Sequence, residues 1–155
     1  LMLIEKPYRG TAVTLSCNGM PFSVPKNIYI IGMMNMADNV SIRDYILRRR
    51  FGFFELIPEF DSDGFQSYMK RLDSDTFTAL ITCIKKLNAE IAEDPGLGRG
   101  FCIGHGYFCG QTEYTEEWLM EIVDYEIMPL LSEYWPDNPD KVRHWGHVLR
   151  SVFYD

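Results

Sequence analysis

The sequence predicts an α/β segment followed by an all-helical one. Three observations carry that reading. Ile28 to Met34 is a nearly continuous apolar run bounded by turn residues, as a strand covered on both faces would be. Phe77, Leu80, Ile81, Ile84, Leu87 and Ile91 fall on one stripe at helical spacing. Composition then changes little to the end, with polar caps separating further amphipathic stretches. The expected division is residues 1–60, α/β, and residues 61–155, helical, with the boundary near Pro58 to Ser62.

In the first part, Thr11 to Ser16 reads as a strand, and Cys17-Asn18-Gly19-Met20-Pro21 carries an Asn-Gly turn signal for a hairpin. Ile28 to Met34 reads as the next strand. Ser41 is placed to cap a short helix with Ile42, Tyr45 and Ile46 on one face, ending at Arg48-Arg49-Arg50. Phe51 to Leu56 reads as a further strand, stopped by Pro58.

In the second part, Asp61 and Ser62 are placed to cap a helix carrying Phe65, Tyr68, Met69 and Leu72. Asp73 to Asp75 open the striped helix. Residues 94–110 form a Gly-rich loop. A third helix starts at about Thr115 with Trp118, Leu119, Ile122 and Val123 inward, and Pro129 should break or kink it. Pro139 suits the first turn of a last helix presenting Val142, Trp145, Leu149 and Val152.

Bulk properties narrow the function. The 155 residues are 46% hydrophobic and 14% aromatic, so a packed core is expected and general disorder is not. A net charge of −7 argues against a non-specific nucleic-acid surface. No apolar run is long enough to span a bilayer, and no signal peptide is visible. The four cysteines form no C-x-x-C pair, which suits a reduced, cytoplasmic setting. The chain opens inside an apolar phrase, Leu1-Met2-Leu3-Ile4, and is expected to be a piece of something longer.

Few residues offer chemistry. Asn35 exposes an amide where the strand ends, and Asp38 a carboxylate just after it. Such an amide can orient a water for phosphoryl transfer, or simply serve a turn. Arg48, Arg49 and Arg50 can complement a helix C-terminus, or offer a guanidinium to a phosphate across a subunit interface. Three successive helical residues splay over about 200°, so they cannot share one task. His105, flanked by Gly104 and Gly106, can touch a phosphate or base, or be structural. Cys102, His105 and Cys109 fall short of a closed zinc site, and no metal ligand set is expected. His144 and His147, three apart on the last helix, read as a solvated face or a packing pair. No G-x-x-x-x-G-K-[ST] loop and no acidic Mg²⁺ pair occur, so the chain alone should not hydrolyse a nucleotide.

Several motifs occur together and in order. They are Met34-Asn35-Met36-Ala37-Asp38, Asp44-Tyr45-Ile46-Leu47-Arg48-Arg49-Arg50-Phe51, and Gly100-Phe101-Cys102-Ile103-Gly104-His105-Gly106-Tyr107-Phe108. With Val24 to Gly32, Trp118-Leu119 and Pro129 to Tyr134, they resemble the C-terminal half of the AAA+ GTPase subunit of the McrBC modification-dependent restriction systems. The resemblance implies the last strands of an AAA+ P-loop NTPase core followed by a helical lid. It implies that Asn35 is a sensor-1 residue and that Arg49 and Arg50 are finger candidates. It makes Asp38, Arg48 and His105 cofactor-binding candidates, with Asp38 in the signature loop and His105 in the lid loop facing the site in a sensor-2-like role. For the full-length protein it implies GTP and Mg²⁺, with none bound to this piece. Its implied partners are other subunits in a hexameric ring, an McrC-like endonuclease, and modified DNA held by an N-terminal domain outside this sequence.

Three positions depart from the family pattern. Asn39 and Cys102 replace arginines, and the segment from Asp38 to Arg48 is one residue shorter. The alternatives are therefore a ring-interaction module with diverged catalysis, or a related AAA+ ATPase.

Overall fold

The computed structural model describes residues 2–33 and 50–154. It divides into two compact units, Leu1–Glu55 and Leu56–Asp155.

The N-terminal unit begins with two 3₁₀ turns, Met2–Ile4 and Lys6–Tyr8. Arg9 fastens them to the next stretch. Its guanidinium donates to the carbonyls of Ile4 at 2.8 Å and Ile28 at 3.1 Å. The expected Asn-Gly hairpin forms, but with a nearer partner than expected. β1 (Val13–Thr14) pairs antiparallel with β2 (Pro21–Phe22), Val13 opposite Phe22 and Thr14 opposite Pro21. Gly19 takes φ +70°, where a side chain would be strained, and the Asn18 side chain accepts the Met20 N–H at 3.0 Å.

The two longer expected strands do not form within the described residues. Ile28–Met33 joins no sheet and is covered on neither face: Tyr29, Ile31 and Met33 are at least 93% exposed, and Ile28 and Ile30 over 40%. Phe51–Leu56 likewise joins no sheet, with Phe54 and Leu56 almost fully exposed. A strand needs a neighbour to receive its N–H and C=O groups. Among the described residues only the short β1–β2 ladder exists. The expected helix from Ser41 lies outside the described residues.

The helical unit matches its pattern closely. α1 (Asp63–Leu72) is capped by Ser62, whose hydroxyl accepts the Phe65 N–H at 3.3 Å. α2 (Asp75–Glu93) is capped by Ser74, which accepts the Phe77 N–H at 3.1 Å. Asp73, left-handed at φ 47°, turns the chain sharply between them. The buried residues of α2 are Phe77, Leu80, Ile81, Ile84, Leu87 and Ile91, the six on the stripe.

Residues 94–110 contain 3₁₀ turns at Arg99–Phe101 and His105–Phe108. Thr115 caps α3 (Glu116–Glu121), which runs into a π-helical segment, Ile122–Ile127, and on into α4 (Met128–Tyr134). The expected break at Pro129 is thus a widening instead. Pro129 has no N–H for the carbonyl four residues back, and a wider turn absorbs the missing bond: Met128 N–H reaches Val123, a five-residue step. Asn138 caps α5 (Pro139–Ser151), with Pro139 in the first turn and Trp145, Gly146 and Leu149 buried. α2 and α4 both pack on α5.

Candidate functional site

Four of the six expected site residues, Asn35, Asp38, Arg48 and Arg49, lie outside the described residues. The other two, Arg50 and His105, fall in different units.

Arg50 forms an ion pair with Glu5, Nε to Oε1 at 2.7 Å, with the two side chains 23% and 31% exposed. Its guanidinium therefore already has an anion inside its own unit.

His105 opens a 3₁₀ turn in the helical unit and is half-buried. Its Nδ1 accepts the backbone N–H of Glu59 at 3.0 Å. The rings of Phe60 and Phe65 pack edge-on against it, with centroids 6.2 and 5.9 Å away. Its carbonyl accepts from the Cys109 thiol at 3.3 Å. Burial raises the pKa of the Cys109 thiol, and that of Cys102, where nearby Arg99 opposes the rise. Both thiols thus stay protonated at neutral pH and are poor metal ligands or nucleophiles. Among the described residues, no group of three or more His, Cys, Asp or Glu could hold a metal ion.

The polar groups that do converge were not singled out in the sequence. Asn88 clamps Ile103 from both sides. Its Nδ2 donates to the Ile103 carbonyl at 2.8 Å, and its Oδ1 accepts the Ile103 N–H at 2.7 Å. The signal was available, since Asn88 follows Ile84 by four residues and so lies on the edge of the apolar stripe.

A second cluster joins the end of α2 to α5. Lys141 Nζ lies 2.8 Å from Glu90 and 3.4 Å from Asp94, and 3.9 Å above the Trp135 ring. Trp135 Nε1 donates to Asp94 at 2.8 Å, and Trp145 Nε1 to Glu90 at 2.9 Å. The Trp135 bond, the Gly96 N–H and Lys141 together hold the Asp94 carboxyl below its ordinary pKa. Every polar member of this cluster has a partner within it, which marks a structural joint rather than a ligand site.

The described residues do not compose a nucleotide pocket. Two shallow cavities occur in the helical unit, one lined by Met120, Val123, Asp124, Arg150, Phe153 and Tyr154, the other by residues of α1 and the start of α2. Neither includes an expected site residue.

Comparison with known proteins supplies what the local geometry does not. Residues 79–143, from within α2 to within α5, match the family described as McrB, alpha-helical lid domain. That segment is similar to an McrB lid. The chain is 40% identical over 162 residues to the type IV methyl-directed restriction enzyme EcoKMcrB subunit of Escherichia coli strain K12. That match covers 96% of this chain and 35% of the subunit, so the chain spans about a third of that relative's length. Residues 79–143, within the helical unit, are thus the part similar to the lid family, and His105 falls inside them.

Proposed function

We infer that this chain is part of a GTP-hydrolysing AAA+ motor subunit of a modification-dependent DNA restriction system. In this reading it drives an McrC-like endonuclease from within a homo-oligomeric ring. The observation that carries the reading is the extent of the McrB similarity, which runs over both units and not the lid alone. The exposed apolar stretches Ile28–Met33 and Phe53–Ile57 support it, because strands of a larger parallel core would expose such residues when its other strands are absent.

In this reading Asn35 orients the attacking water, and Asp38 belongs to the same signature loop. Arg49 and Arg50 serve as fingers toward nucleotide on the neighbouring subunit, with Arg48 beside them. His105 faces the nucleotide from the lid. GTP, Mg²⁺ ligands and the modified-DNA domain belong to the longer protein.

The test is turnover of GTP and of ATP by the longer protein, with Arg49→Ala, Arg50→Ala and Glu5→Ala. A finger predicts turnover falling by about 10³-fold with nucleotide binding kept. Glu5→Ala separates the roles of Arg50. If Arg50 only pairs with Glu5, the two variants behave alike; if Arg50 is a finger, Glu5→Ala stays active. Preference for ATP would favour a related ATPase.

A second reading is a ring-interaction module without catalysis. The Arg50–Glu5 pair favours it, since a finger engaged in its own unit must first be released. Nucleotide binding without turnover in the unaltered longer protein would establish it.

A further inference from the structure

The segment before α1 is held unusually firmly for a connection. Glu59 N–H bonds His105 Nδ1 at 3.0 Å, and the Glu59 carbonyl accepts from Ser62 Oγ at 2.9 Å. The Phe60 carbonyl accepts from Gln66 Nε2 at 2.7 Å. The Phe60 ring is buried against Phe65, His105 and Phe108. Asp61 pairs with Lys85 of α2 at 2.7 Å. Just upstream the chain is open, with Phe54 and Leu56 more than 90% exposed.

We propose that His105 is a positioning residue that pins the segment leading into α1, at the start of the helical unit, to the Gly-rich loop at residues 94–110. That segment belongs to the helical unit, which begins at Leu56. Of the groups fixing the Glu59 backbone, only His105 comes from residues 94–110; Ser62 is local. The loop is in turn tied to α2 by the Asn88 clamp on Ile103, two residues away. The loop thus holds this segment by one backbone hydrogen bond, from Glu59 to His105, beside the packing of the Phe60 ring on His105 and Phe108.

The chemistry of that bond fixes the state of the ring. A backbone N–H can only donate, so Nδ1 must present its lone pair. The imidazole is then neutral, with its proton on Nε2. The inference stands independently of any nucleotide.

The experiment uses this 155-residue chain. Ring ¹⁵N spectra near neutral pH should show His105 unprotonated at Nδ1 and protonated at Nε2; the opposite tautomer overturns the proposal. Amide hydrogen exchange supplies the second arm. His105→Ala should speed exchange at Glu59 and Phe60 by about tenfold or more, leaving Leu80 and Ile84 in α2 unchanged. His105→Asn should restore protection, because its Oδ1 lies where Nδ1 lay. An equal rise throughout α2 would make His105 an ordinary packing residue, and no rise at Glu59, or no rescue by Asn, would remove the pin. Should His105→Ala fail to fold, the tautomer of the unaltered chain still decides the matter.

Discussion

The N-terminal and helical units have comparably apolar sequences and opposite outcomes. Every buried apolar side chain among the described residues, from Phe60 to Leu149, belongs to the helical unit. The N-terminal unit exposes Tyr29, Ile31, Met33 and Phe54 instead. Charge divides the same way: residues 1–55 carry seven basic and four acidic side chains, residues 56–155 eight and eighteen. Apolar content is thus not what makes a core. A helix satisfies its own backbone and needs only one face covered, whereas a strand needs neighbours for its backbone and covers for both faces. The helical unit has both requirements met within 100 residues. Among its described residues, the N-terminal unit pairs only β1 with β2 in a sheet.

Core substitutions should separate the units most widely. Phe77 is fully buried among Phe65, Tyr68 and Trp118. Phe77→Ala should cost the helical unit about 3–5 kcal/mol in urea unfolding followed by far-UV circular dichroism. A cost below about 1 kcal/mol would mean that the core is far looser than its burial suggests.

Asn88→Ala should come next. It leaves the Ile103 N–H and C=O unpaired beside a fully buried side chain, at a cost of about 2 kcal/mol. Asn88→Asp should recover less than half of it, since a carboxylate accepts from the N–H but cannot donate to the carbonyl. Equal stability of the Ala variant and the parent would show that water replaces the clamp.

Asp94 adds a pH dependence confined to the helical unit. Its carboxyl is held below the ordinary value of 3.8 by the Trp135 N–H first, then the Gly96 N–H and Lys141. The unfolded chain therefore binds this proton at a higher pH than the folded one. The stabilisation is fully present above the ordinary carboxyl range and is lost as pH falls through the depressed folded value. Asp94→Asn should flatten the acid limb of the stability curve while leaving the neutral-pH spectrum helical. An unchanged limb would mean that other carboxylates dominate it.

How much was legible from residues follows the same division. The caps Ser62, Ser74 and Thr115 and the α2 stripe were readable because a helix is specified by neighbours three and four positions away. Pro129 was readable as a perturbation but not as a π-helical widening, which depends on how the freed carbonyls find new donors. The strands at Ile28–Met34 and Phe51–Leu56 were read from apolar runs alone, and pairing partners are non-local. At the site, His105 was singled out for its flanking glycines, yet its Glu59 partner lies 46 residues earlier and no local pattern announces it. The Asp94–Lys141–Glu90 joint escaped notice for the same reason, its members coming from two distant helices.

The smallest expected effect on stability tests the other half of the comparison. Ile31 and Phe54 are both 93% exposed, so replacing either by Lys removes almost no burial. The unfolding midpoint of the helical unit should move by less than about 0.5 kcal/mol. Association is a different matter. Exposed apolar stretches are templates for pairing between chains, and a single charge is how natural edges prevent it. The unaltered chain should therefore scatter light as more than a monomer at high concentration, and the Ile31→Lys, Phe54→Lys pair should return it to a monomer. A monomeric parent would mean that the exposed runs do not seek partners, and the support they lend to a larger parallel core would go with them. A loss of helical stability on Ile31→Lys would mean that Ile31 supports the helical unit despite its exposure.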